Sequence, residues 1–106
     1  MNIKEKQMLE ILSELHASHS VFSVKAEFEA EGTRNDDLLR LFDLVRRSGL
    51  SLTIKIGGCE AIRDLIECKQ LGVDRIVAPM IETDYSLSKF IGAIKSVYSD
   101  DEISST

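Results

Sequence analysis

The 106-residue chain predicts an α/β fold: an N-terminal helix, then three βα units that share a parallel sheet. Three observations predict it. Apolar residues recur first at helical spacing and then alternate, and the alternation returns twice. Each alternating run is followed by a helical stripe. The runs begin near residues 22, 52 and 75, so they lie 30 and 23 residues apart. That distance holds a strand, a crossover helix and two short loops. Crossovers of this kind are right-handed and build parallel sheets.

The first helix rests on Ile3, Met8, Leu9, Ile11, Leu12 and Leu15, with Lys4, Glu5, Lys6, Glu10 and Glu14 between them, and His16 to Ser20 breaks it. In the first strand Phe22, Val24, Ala26 and Phe28 alternate with Ser23, Lys25, Glu27 and Glu29, and Gly32 and Thr33 end it. Thr33 is a capping residue, and Asp36 and Asp37 suit the positive first turn of the next helix. Its stripe is Leu38, Leu41, Phe42 and Val45, and Gly49 stops it. Leu52, Ile54 and Ile56 alternate with Thr53, Lys55 and Gly57 in a second strand. Gly58 turns into a helix carrying Ile62, Leu65 and Ile66 that closes at Leu71-Gly72. Ile76 to Ile81 reads as the third strand. Thr83 or Asp84 caps a last helix with Leu87, Phe90, Ile91 and Ile94 on one face. Residues 1–98 form one α/β domain, and 99–106 read as a frayed polar tail.

Composition excludes several function classes. No run of about 18 apolar residues offers a membrane span. The N-terminus leads into an amphipathic pattern rather than a signal-peptide core, so the expected location is cytoplasmic. Two cysteines do not make a disulfide scaffold. A formal charge of −5 without a basic stripe argues against nucleic acid and anionic membranes as partners.

Buried parallel strands usually read as continuous apolar runs. Here Lys25, Glu27 and Glu29 share one face of the first strand, and Thr53 and Lys55 one face of the second. Under a covering helix such charges cost several kcal/mol per unpaired ion. Near the C-terminal mouth of a (β/α) TIM-type barrel, a polar inward face is where sites are built. The alternation therefore favours a partial barrel over a self-sufficient open domain. A closed barrel takes about 250 residues. Three strands leave an open edge, which is an association liability.

Lys25 and Lys55 form a basic spot at the C-terminal end of the sheet. It would hold a substrate carboxylate, and a desolvated lysine there serves as acid or base. The same residues with Glu27 and Glu82 equally make an ion-pair network. Gly57-Gly58-Cys59-Glu60 sits at a strand-to-helix turn, where glycines bring backbone N–H groups to an anion or simply make the turn. The run is neither a phosphate loop nor a dinucleotide fingerprint. Cys59 lies at that helix start, where a thiolate is favoured, but has no histidine nearby in sequence. Cys68 reads as a small core residue. The cysteines, nine apart, fit neither a metal site nor an easy disulfide. His16 and His19 read as surface loop residues. Glu82 follows the third strand, where a barrel enzyme places a metal ligand or general base; Glu82-Thr83 also reads as a helix cap with a flanking acid.

Val24-Lys-Ala-Glu-Phe-Glu-Ala-Glu-Gly32, Ile54-Lys-Ile-Gly-Gly58 and Leu71-Gly-Val-Asp-Arg-Ile-Val-Ala-Pro-Met-Ile-Glu-Thr83 together resemble the N-terminal part of the HpcH/HpaI aldolase and citrate lyase β-subunit family. The resemblance covers roughly residues 20–98. It implies a pyruvate/phosphoenolpyruvate-type barrel that makes or breaks carbon–carbon bonds in 2-oxo acids or acyl-CoA esters with Mg²⁺ or another divalent ion. Joined to the reading of the residues above, it makes Lys55, Glu29 and Glu27 the catalytic candidates and Lys25, Lys55, Gly57 and Gly58 the substrate-binding ones; the resemblance itself supplies Glu29 and Lys55. Glu29 takes the family's acid position, but Ala30 stands where a histidine follows it. Lys55 replaces an arginine, keeping the charge without the bidentate fork. Glu82 is the one metal candidate; the family's metal-bearing strands come later, so this chain is expected to hold no divalent ion alone. The alternative is a non-catalytic half-barrel that self-associates or binds a small anion. The expected partners are a 2-oxo-acid or acyl-CoA substrate and further copies of the chain, a homo-oligomer.

Overall fold

A computed structural model describes residues 1–28 and 35–104. The element order is α1 (Ile3–Ser18), β1 (Ser23–Glu27), α2 (Asn35–Arg47), β2 (Ser51–Lys55), α3 (Ile62–Leu71), β3 (Arg75–Val77), α4 (Asp84–Val97) and α5 (Asp100–Ser104). The three strands form a parallel sheet in the order β1-β2-β3. The α/β class and the parallel sheet are as the sequence predicts.

Two glycines set the repeat. Gly49 and Gly72 have φ of +82° and +70°, which side chains with a Cβ rarely adopt. At each, the following amide reaches back to close the helix: Leu50 N–H donates to Val45 O at 3.1 Å, and Val73 N–H to Cys68 O at 3.0 Å. The glycine amides donate to Arg46 O and Lys69 O. Both helices thus end in the same Schellman closure, which turns an aliphatic residue inward just before a strand.

All core residues of the sheet lie on one face. Ala26, Leu52 and Ile54 join Leu38 and Val45 of α2, Leu65 and Cys68 of α3, and Ala93 of α4 in one cluster. Val24 and Ile76 pack against it from the same face. Ile54 and Leu65 are fully buried. The opposite face carries Ser23, Lys25 and Glu27, then Ser51, Thr53 and Lys55, then Arg75 and Val77, in register across the strands.

Several boundaries differ from the expectation. The third strand stops at Val77 rather than Ile81, because Pro79 has no N–H to give a ladder and Met80 turns to φ +54°. The expected polar tail is a short helix over Asp100–Ser104, started by Ser99: its Oγ accepts from Glu102 N–H at 3.2 Å, and Glu102 accepts from Ser99 N–H at 2.9 Å. Helix α1 runs to Ser18 and buries no residue fully; only Leu12 of its stripe packs on the core. It is tied to α2 by an ion pair between Glu5 and Arg40. In α3 the inner residues are Leu65 and Cys68, while Ile62 and Ile66 face out.

Candidate functional site

The outer ends of β1 and β2 bring together Lys25, Glu27 and Lys55. The register sets Glu27 beside Lys55, and Lys25 lies two residues back on the same face. Lys25 Nζ stands 3.3 Å and Lys55 Nζ 3.8 Å from one oxygen, Oε1, of Glu27. The carboxylate side chain is only 15 % exposed, whereas Lys25 is 53 % and Lys55 34 % exposed. Two ammonium groups thus share one sheltered carboxylate and turn their open sides to solvent. The triad carries one positive charge more than it neutralises.

Further along the same face, Ser23 Oγ and Thr53 Oγ1 lie 2.6 Å apart, and Ser23 Oγ donates to Ser51 O at 3.1 Å. Arg75 donates to Ser51 Oγ and lies over the Phe22 ring, 4.9 Å from its centroid. Among the described strand residues, this face has three cations and one carboxylate. The chain as a whole carries −5.

The expected glycine cradle is arranged differently. Gly57 N–H donates to Asp64 Oδ2 at 2.8 Å, so a carboxylate of α3 takes the place an outside anion would have. Gly58 turns the chain, its carbonyl accepting from Ala61 N–H at 3.2 Å, and α3 begins only at Ile62. Cys59 therefore sits in the turn before the helix and not at its first residue. Cys59 and Cys68 are both free thiols, and burial pushes the Cys68 thiol up to about 12. His16 belongs to α1; its Nδ1 lies 3.0 Å from Val21 O and its ring packs at Gly49. Glu82 is exposed in the β3–α4 connection, just before the capping pair Thr83 and Ser86. Glu29 falls outside the described residues, as do Ala30 and Thr33.

The residues at hand do not suit a hard divalent ion. Mg²⁺ takes carboxylates and waters in an octahedron, while Glu27 is already shared by two ammonium groups. Among the described residues, no three of His, Cys, Asp and Glu gather as a metal site.

A groove of about 750 Å³ runs along the free edge of β3 toward α4 and α5. Sequence reasoning missed it, although Phe90, Ile94 and Tyr98 recur at helical spacing. Ile76, Phe90, Ile94, Tyr98 and Ile103 line it. The Tyr98 hydroxyl is buried without a hydrogen-bond partner among the described residues. Burial and the neighbouring Cys68 raise its pKa to about 12.

Among the described residues, no helix is long and apolar enough to cross a membrane. No family model, curated protein or solved structure matches the chain.

Proposed function

We propose that the C-terminal end of the sheet binds the carboxylate of a small 2-oxo acid, held between Lys25 and Lys55. The observation that carries this reading is the shared Glu27 oxygen. It links two ammonium groups on adjacent strands and, among the described residues, leaves the cluster one negative charge short. An added carboxylate makes charge-assisted hydrogen bonds there at little reorganisation. The ends of parallel strands are where α/β folds place ligands.

The larger reading is that these βα units belong to a carbon–carbon lyase barrel acting on 2-oxo acids or acyl-CoA esters. Its support is the sequential strand order with the core on one face and a polar opposite face, the pattern of successive units in a barrel wall. On that reading Lys55 grips the substrate, and Glu27 positions both lysines.

Titration of the ¹⁵N-labelled chain with pyruvate, oxaloacetate and acetate tests the binding. The expected result is a saturable shift of the Lys25, Glu27 and Lys55 amides in the millimolar range, lost in Lys55→Ala. Equal, non-saturating shifts for all three acids, unchanged in Lys55→Ala, would sink it.

A further inference from the structure

The outer edge of β3, which pairs with no other described strand, and the groove beside it lie apart from the Lys25–Glu27–Lys55 cluster. Arg75 and Val77 pair with Thr53 and Lys55, and Val77 O accepts from Ile56 N–H at 3.1 Å. In a parallel ladder, alternate residues turn their backbone groups to opposite sides. The N–H and C=O of Ile76 therefore point away from β2, to the open edge.

Below that edge, α4 presents more apolar surface than its own fold covers. Leu87 and Ile91 are 45 % and 44 % exposed. At 100° per residue they continue the stripe of Ile94 and Tyr98 that lines the groove. The stripe runs most of the length of the helix, next to a strand edge with one donor and one acceptor to offer.

We infer that a second copy of this chain covers this edge, β3 pairing antiparallel with β3 across a two-fold axis at Ile76. Three features favour a copy over another occupant. The outward N–H and C=O belong to one residue, so a two-fold axis there lets Ile76 exchange both hydrogen bonds with its own equivalent. The pairing puts Ile76 against Ile76 on the apolar face and Arg75 against Val77 on the polar face, so no like charges stand opposite. The two α4 helices then run antiparallel beneath the strands. Asp84 at the start of one lies by Lys95 at the end of the other, and both are exposed. A two-fold interface of this kind is self-complementary. The result is a continuous six-stranded sheet with the Leu87–Ile91 stripes in contact.

Sedimentation equilibrium of the full chain from micromolar to millimolar concentration tests this. The expected mass doubles from 11.9 kDa, with the Ile76 amide protected from hydrogen exchange as dimer forms. Ile76→Pro removes the outward N–H and should abolish the dimer. Because that change also trims the core, charge reversal provides a second test. Lys95→Glu should raise the dimer dissociation constant about tenfold, and adding Asp84→Lys should restore it. A monomer at every concentration would overturn the inference. So would a dimer indifferent to Lys95→Glu, whose interface must lie elsewhere.

Discussion

Asp74 and Leu52 exchange two hydrogen bonds: Leu52 N–H donates to Asp74 Oδ2 at 2.9 Å, and Asp74 N–H donates to Leu52 O at 3.0 Å. One carboxylate thus aligns the start of β3 with the start of β2 and fixes the register that places Arg75 and Val77 on the polar face. Asp74→Ala leaves a part-buried amide unpaired. A loss of about 1–3 kcal/mol is expected, read from urea unfolding, with the β3 amides losing hydrogen-exchange protection before those of β1.

Ile54 is fully buried on the middle strand. Ile54→Ala should cost about 2–5 kcal/mol and Ile54→Val about 0.5–1.5 kcal/mol. Chemical denaturation of both variants checks the ratio. Similar costs for the two would mean the site collapses around the smaller side chains.

Cys68 is fully buried and its thiol is pushed from 9.0 up to about 12, first by burial and then by the nearby charges of Asp64 and Glu67. The native chain should therefore give one thiol to a disulfide reagent at neutral pH, that of Cys59, and the unfolded chain two. The unfolded state sheds the Cys68 proton near 9 while the folded state keeps it to about 12, so stability should fall as pH rises through that window. Tyr98, raised from 10.0 to about 12, acts in the same sense at the upper end. Cys68→Ala should flatten the lower part of the decline in thermal melts followed from pH 8 to 11.

The Arg40 guanidinium beside Glu5 holds that carboxyl below its ordinary value. This contribution is present above the ordinary carboxyl range and is lost as pH falls through the lowered value. Arg40→Ala should raise the Glu5 titration, followed by carbon NMR, toward its ordinary position. It should also speed amide exchange in α1 while leaving β2 unchanged, since α1 adds little to the core.

Much of this architecture is legible in the sequence because its signals are local. Alternation at Leu52 and Ile54 and the stops at Gly49 and Gly72 each rest on one physical rule and mark real elements, although β2 ends at Lys55, before Ile56 and Gly57. The apolar run Ile76–Ile81 predicts a longer third strand than forms, because Pro79 and Met80 end the ladder although the side chains stay apolar. Helix α5 lacks an apolar stripe, so its one sequence signal is the capping-box spacing of Ser99 and Glu102. The lysines of the site were legible as a same-face pair. Their common hold on Glu27 was not, since it depends on the Glu27–Lys55 register. The carboxylate that closes the Gly57 amide comes from Asp64, whose reach back to the turn follows from α3 starting late.

The one-sided core has a consequence for how this molecule can change. Whatever decides whether the chain folds sits behind the sheet, in Leu52, Ile54, Leu65 and their neighbours. The polar side chains of the strands sit in front, on Ser23, Lys25, Thr53, Lys55 and Arg75. Adjacent residues of one strand therefore answer to separate demands. A library randomised at the front positions alone would redraw the outer face of the sheet while leaving the buried cluster untouched, each strand carrying two separate alphabets.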